Sequence, residues 1–211
     1  ASFFANNLHV DFKNKIAIVA VKGTITSQTS GGGFLSGDLS PVETIIGNLE
    51  KAHNDPTIKA VILEINSPGG TVVASKEIAD KVKSLDKPVV AWIREIGASG
   101  AYWIASSADS IVADPMSITG SVGVLGSYLE FSDLFEEYGI TYQRLVGGQF
   151  KDVGNPYKRL TSGEQQLLQS KINLIHEYFT RSVMENRNLT DPSFANGAFY
   201  LGFEAQKLGL V

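Results

Sequence analysis

Three short stretches of this chain combine residue types that chemistry needs. The first is Gly97-Ala98-Ser99-Gly100-Ala101-Tyr102, which places a serine among small residues between two apolar runs, Val89-Val90-Ala91-Trp92-Ile93 and Ala101-Tyr102-Trp103-Ile104-Ala105. The earlier run reads as a strand and the later one as a buried helix, so Ser99 falls at a strand-to-helix turn. Small neighbours leave its hydroxyl uncovered, and the start of a helix offers unpaired N–H groups to a developing negative charge. A nucleophilic serine needs both, although a lone Gly-x-Ser-Gly is more often a simple helix cap. The second stretch is Asn66-Ser67-Pro68-Gly69-Gly70. Two glycines after a proline let the backbone turn its N–H groups outwards, as an oxyanion hole requires. The third, Gly147-Gly148-Gln149-Phe150-Lys151-Asp152-Val153-Gly154, is a glycine-rich loop with one lysine at its centre.

A serine hydroxyl is a poor nucleophile until a neighbour takes its proton. The chain has no cysteine and only three histidines, His9, His53 and His176, none in a metal-ligand spacing. Neither a metal nor any other cofactor is expected. His53 and His176 sit on predicted amphipathic helices, where a surface role is the commoner one. A lysine can serve as base instead, but at an ordinary pKa of about 10.4 almost none of it is neutral at pH 7. Burial must therefore lower it, and Lys151 between Phe150 and Val153 is a candidate for a desolvated amine, against the more frequent alternative of a solvated surface lysine.

The surrounding elements explain how such groups could be positioned. Residues Lys15 to Lys22 read as a buried strand that Gly23-Thr24-Ile25 continues, and Gly31-Gly32-Gly33 as a mobile loop. Ser40-Pro41 predicts a helix start, with Ser40 as cap and Glu43 three residues on. Val42, Ile45, Ile46 and Leu49 share one face of that helix, and Asn54-Asp55-Pro56 stops it. Ile58 to Ile65 reads as a central strand, Val72 to Leu85 as a second amphipathic helix, and the Val89 run as the next strand. This alternation implies right-handed crossovers and a mostly parallel sheet, with ligands at the carboxyl ends of the strands. Both glycine-rich turns fall there. Further on, the pattern predicts a strand over Ser110 to Ala113, a helix over Leu129 to Tyr138 ended by Gly139, and a strand over Thr141 to Val146. The longest helix is capped by Thr161-Ser162-Gly163-Glu164 and runs to about Arg187, and a short one covers Phe203 to Leu208. No repeat or linker divides the chain, so a single domain over residues 1–211 is expected, with residues 1–14 as a possible N-terminal strap.

Composition excludes other classes. Of 211 residues, 18 are Lys or Arg and 22 Asp or Glu, a net charge of -4 without basic clusters, so a nucleic-acid partner is not expected. The apolar run Ile16 to Val21 is far short of the roughly 20 residues that span a bilayer. The stretch given reads as soluble. It opens on Ala1 without a charged n-region or an h-region, as an excised or processed piece would.

Taken together, Asn66-Ser67-Pro68-Gly69-Gly70, Gly97-Ala98-Ser99-Gly100-Ala101-Tyr102, Thr119-Gly120-Ser121-Val122-Gly123-Val124 and Gly148-Gln149-Phe150-Lys151-Asp152 resemble, in order and spacing, the motifs of the signal peptide peptidase A family in its single-domain form. The ending Ala205-Gln206-Lys207-Leu208-Gly209-Leu210-Val211 is similar as well. The resemblance implies an α/β fold of the Clp protease/crotonase type, built of repeated β-α-β units with a mostly parallel sheet. It implies a serine peptidase with a Ser/Lys dyad: Ser99 as nucleophile, Lys151 as general base, and Ser121 as the hydroxyl that orients the lysine. Gly69, Gly70 and Gly100 would form the oxyanion hole. Expected substrates are remnant signal peptides and other unstructured apolar peptides. The family's habits further imply a homo-oligomeric ring, tetrameric or octameric, and a membrane anchor that this stretch lacks, with the catalytic domain on the extracytoplasmic face. In tandem relatives the dyad is divided between two domains, which suggests a division between neighbouring subunits here. Two alternatives stay open at this level: a crotonase-like acyl-CoA enzyme, and a non-catalytic, membrane-associated scaffold.

Overall fold

A computed structural model of the chain describes residues 14–27 and 39–211. In chain order the elements are β1 (Lys15–Lys22), β2 (Thr24–Thr26), β3 (Leu39–Pro41), α1 (Val42–Asn54), β4 (Ile58–Ser67), α2 (Val72–Lys83), β5 (Val89–Ala98), α3 (Gly100–Ser106), β6 (Ser110–Ala113), β7 (Ile118–Gly120), α4 (Ser132–Glu137), α5 (Ser162–Arg187), a 3₁₀ turn (Pro192–Phe194), β8 (Phe199–Leu201) and α6 (Gly202–Lys207). They fall into two compact units. One comprises the chain up to Gly123 together with Thr180–Val211, and the other is Val124–Phe179.

The first unit is built on a six-stranded sheet ordered β1-β4-β5-β7-β8, with β6 also on β5. All its pairings are parallel except that of β7 with β8. Strand β5 is ten residues long and is shared along one edge by two short strands, β6 on Val90–Ile93 and β7 on Ile96–Ala98. Ser117 fills the gap between them: its hydroxyl donates to the Arg94 carbonyl and accepts the Asp114 N–H at 3.1 Å. Alternate residues Val19, Val21, Val61, Leu63, Ile65, Ala91 and Ile93 are buried, as are Ile45 and Leu49 of α1, which packs on β1 and β4, and Ile78 and Val82 of α2, which packs on α1 and α3. Every residue of α3 is buried, and Tyr102 donates its hydroxyl to the Leu210 carbonyl at 2.8 Å, tying the chain end into the core. Burial pushes that phenol's pKa far up.

On the other face of the same sheet, apolar side chains are exposed among the described residues. Ile16, Ile18, Trp92 and Val112 are 62%, 65%, 41% and 54% exposed, although parallel sheets are ordinarily covered on both sides. At its polar end Glu64 bridges Lys22 and Arg94, each at 2.9 Å, and the hydrogen bond from Lys22, then that from Arg94, holds its carboxyl below the usual range.

The second unit carries α4 and the first part of α5. Thr161 and Glu164 cap α5 reciprocally: the Glu164 N–H donates to Thr161 Oγ1 at 3.2 Å, and Glu164 Oε2 accepts the Thr161 N–H at 2.9 Å. Glu164 is 2% exposed and paired with Lys158 at 2.6 Å.

Most expected elements form within two residues of their predicted ends, and three of the four departures have a physical cause in the structure. Ser40 is not the cap of α1. Its hydroxyl accepts the Lys22 N–H at 2.8 Å and donates to the Lys22 carbonyl, which leaves Pro41 as the cap and places Ser40 in β3. Gly23, at φ 76, breaks the first strand, so β2 pairs with β3 in a sheet of its own. Residues 141–146 are not a strand, because no neighbour in their unit pairs with them, and Leu145 is 99% exposed. The helix expected over Leu129 to Tyr138 contracts to α4. Strand β8 had no signal of its own in the sequence. The Gly31-Gly32-Gly33 loop and, apart from Asn14, the strap over residues 1–14 lie outside the described residues.

Candidate active site

Three adjacent parallel strands of the first unit end together. Ser67 of β4 is opposite Gly97 of β5, which is opposite Thr119 of β7. Each strand then enters a tight turn, and those turns carry Gly69 and Gly70, Ser99, and Ser121.

Ser99 links β5 directly to α3 at φ 54, ψ -125. A non-glycine residue held there costs about 1–3 kcal/mol, and persists only where its surroundings over-determine it. The surroundings do so from both sides: the Ser99 N–H donates to the Gly120 carbonyl at 2.8 Å, and the Ser99 carbonyl accepts from Trp103 at 3.0 Å. The side chain is half-buried, and its hydroxyl has no hydrogen bond among the described residues.

The Ser67–Thr71 turn is held by a set of hydrogen bonds to the Gly23–Ile25 segment. Ser67, completely buried, donates to the Gly23 carbonyl at 2.6 Å and accepts the Gly69 N–H at 3.1 Å. The Gly69 carbonyl accepts from Ile25, and the Ile25 carbonyl accepts from Thr71, both at 2.9 Å. Gly69, at φ 102, therefore shapes the turn, its own N–H being already engaged. The N–H groups of Gly70 and Gly100 have no such acceptor among the described residues. They are close: a Cβ on Gly69 would lie 2.8 Å from the Gly100 nitrogen, and one on Gly100 would lie 3.4 Å from the Gly70 nitrogen. Two open amide donors thus sit beside the Ser99 turn, as electrostatic stabilisation of an oxyanion requires.

Ser121 follows directly on the residue that accepts the Ser99 N–H. It too has a positive φ, 52, and is pinned by its N–H to the Ala198 carbonyl at 2.9 Å, while its hydroxyl makes a long 3.4 Å bond to the Gly197 carbonyl. Ser99, Ser121, Gly69, Gly70 and Gly100 are thereby brought together in one unit.

Lys151 belongs to the second unit, on the turn that starts at Gly148, whose carbonyl accepts the Lys151 N–H at 3.2 Å. Its side chain is exposed and Phe150 beside it is 42% exposed. The burial expected beside Phe150 and Val153 is not seen, and a Cβ on Gly147, Gly148 or Gly154 would meet nothing within 4 Å. The neighbouring carboxylate is committed elsewhere: Asp152 is gripped by Arg144 at 2.7 and 2.8 Å. That fork holds the Asp152 carboxyl below its usual range and raises the guanidinium. His53 and His176 lie on α1 and α5 as expected. No group of metal-ligating side chains occurs among the described residues.

Sequence reasoning did not assign roles to three buried hydroxyls behind these turns, Ser67, Thr119 and Ser75. The detectable signal was a polar residue interrupting an apolar stripe: Ser75 shares the buried face of α2 with Ala74, Ile78, Ala79 and Val82.

Comparison with known proteins gives the family of the chain. The family model of peptidase family S49 matches residues 81–211, and that of Clp protease matches residues 39–115, a span from β3 to just beyond β6. A Methanocaldococcus jannaschii protein with a provisional protease name is 37% identical over 186 residues, 86% of this chain and 60% of its own length. Protease 4 of Haemophilus influenzae is 34% identical over 209 residues, 96% of this chain and 33% of its own. A provisionally named signal peptide peptidase of Enterococcus faecium is 32% identical over 203 residues, 93% of this chain and 59% of its own. The chain thus spans 60% or less of the length of each of these three relatives.

Proposed function

The chain belongs to peptidase family S49, and from that premise we propose that it is a serine endopeptidase working through a Ser/Lys dyad within a single peptidase domain. The observation that carries the proposal is the strained Ser99 turn, with a hydroxyl free to react and the Gly70 and Gly100 amides beside it. Neutral Lys151 takes the Ser99 proton as the oxygen attacks the peptide carbonyl. The tetrahedral oxyanion accepts hydrogen bonds from Gly70 and Gly100, the amine leaves with the proton from Lys151, and water releases the acyl group through the same base. Ser121 holds the lysine amine in line.

Because Lys151 is exposed on its own turn, the desolvation that keeps an amine neutral comes from a neighbouring subunit in this reading. Each site then joins the Ser99 of one subunit to the Lys151 of the next in a closed ring. The exposed apolar side chains Ile16, Ile18, Trp92 and Val112 on one sheet face support an assembly, since parallel sheets are ordinarily covered on both sides. Substrates are unstructured apolar peptides, remnant signal peptides among them, taken as extended strands. The name of the Enterococcus faecium relative, a signal peptide peptidase, supports that class. Work on such peptides would place the enzyme at a membrane, with this domain on the extracytoplasmic side. No helix among the described residues is long and apolar enough to cross a bilayer.

The test is mass spectrometry after incubation with a fluorophosphonate. A single adduct on Ser99, absent in Ser99→Ala, is the expected result. An unlabelled Ser99 would sink the reading, in favour of a crotonase-like enzyme or a scaffold.

A further inference from the structure

Ser75 is a polar residue in a place that does not need one. It is 1% exposed, on the first turn of α2, and its hydroxyl has no hydrogen-bond partner among the described residues. Side chains on a helix lean towards its N-terminus, and here that direction leads to the Gly70 turn and Gly100. A Cβ on Gly100 would come within 2.2 Å of Ser75 Oγ and 3.4 Å of the Gly70 nitrogen, so the hydroxyl oxygen and the Gly70 amide flank the same position. A buried hydroxyl without a partner destabilises a fold, and alanine would remove that cost while keeping the Cβ. The hydroxyl is thus a cost to stability at a position that flanks the oxyanion turn.

We infer that Ser75 is a positioning residue of the oxyanion site: its oxygen is the spacer that keeps Gly100 off α2 and sets the separation of the Gly70 and Gly100 donors. This rests on the reading of Ser99 as nucleophile. Removing the oxygen opens a gap into which Gly100 relaxes, and the two amides lose the spacing that suits a tetrahedral oxyanion. Such a change acts on the transition state and not on substrate binding.

The experiment compares wild type, Ser75→Ala and Ser75→Cys in hydrolysis of a fluorogenic peptide, with active sites counted by fluorophosphonate titration and Tm measured by calorimetry. For Ser75→Ala, kcat per titrated site should fall about tenfold, below the effect of deleting an oxyanion donor outright, with KM unchanged and Tm equal or higher. For Ser75→Cys, whose sulfur refills the space without being a good hydrogen-bond donor, kcat should return to within about threefold of wild type. An unchanged kcat in Ser75→Ala, a rise in KM alone, or a loss explained wholly by fewer titrated sites and a lower Tm would each overturn the inference. So would a cysteine variant as slow as the alanine one. A wild-type protein that takes no label on Ser99 defeats the underlying reading itself, whereas a labelled wild type with unaffected variants defeats only the role of Ser75.

Discussion

The glycines around Ser99 and those around Lys151 are used in opposite ways. In the first unit a Cβ would meet backbone or side-chain atoms at 2.8 Å on Gly69, 1.9 Å on Gly70, 2.9 Å on Gly97, 2.2 Å on Gly100 and 2.7 Å on Gly120. In the second unit Gly139, Gly147, Gly148 and Gly154 have nothing within 4 Å of that position. Glycine near the serine permits close approach, and glycine near the lysine permits only a turn. The serine side is thus built to fixed distances by its own unit, with buried Ser67, Ser75 and Thr119 behind it. The lysine turn has no comparable packing, and whatever orients its amine must come from outside that turn. Packing like that on the serine side is what the pre-organised nucleophile and donors of the proposed mechanism would need.

The largest effects should fall on the packed side. Ser99→Ala should lower peptide hydrolysis by about a thousandfold or more with little change in Tm. Gly70→Ala should prevent folding or lower Tm by more than about 10 °C, because its Cβ would strike the Ile25 carbonyl, a backbone atom that cannot swing aside. Gly147→Ala, into open space, should move Tm by no more than about 2 °C. Equal tolerance at Gly70 and Gly147 in calorimetry would break the comparison at once.

The next effect tests where the lysine comes from. Ser99→Ala and Lys151→Ala should each be inactive alone, and co-expression should restore activity at about one site in four, the chance that an intact serine meets an intact lysine in a randomly mixed ring. Mixed rings verified by native mass spectrometry but still inactive would put the dyad within one chain.

How much of this was legible beforehand follows the same division. Strands β1, β4, β5 and β6 and helix α2 were readable because dense Val and Ile runs alternate with an amphipathic segment, and the ends of β4 and β5 located both glycine turns. What sequence could not supply was three-dimensional contact. Nothing local says that Ser40 bonds to Lys22 instead of capping α1, or that Ser75 lies against Gly100. In the second unit Thr141 to Val146 reads as a strand, but a strand needs a partner, which no sequence window contains. Lys151 was identifiable as the lone lysine of its loop, whereas its exposure depends on packing that its neighbours Phe150 and Val153 do not provide.

A smaller effect should attend Ser121, which sits on the packed side but, in the proposed mechanism, serves the lysine. Ser121→Ala should lower kcat about tenfold with KM little changed, since an orienting hydroxyl matters most in the transition state. An unaltered kcat in steady-state kinetics would leave Ser121 as a turn residue only.

The smallest effect should come from the one polar fork on the lysine turn. Arg144 grips Asp152 through two hydrogen bonds at a partly exposed site, where such pairs contribute little to stability. Asp152→Asn, which cannot accept both, should therefore shift Tm by no more than about 2 °C and lower kcat by no more than about threefold. The pH dependence gives the sign. The hydrogen bond from Arg144 depresses the folded pKa of Asp152 below the value near 3.9 of an unfolded chain. The fork's contribution is then fully present above that value and disappears as pH falls through the folded pKa. The Tm difference between wild type and Asp152→Asn should accordingly be constant from pH 5 to pH 8 and shrink below about pH 4, as the wild-type carboxyl takes up its proton. A hundredfold loss of kcat in Asp152→Asn at pH 7 would mean that this fork alone fixes the lysine, and that its turn is as rigidly built as the one carrying Ser99.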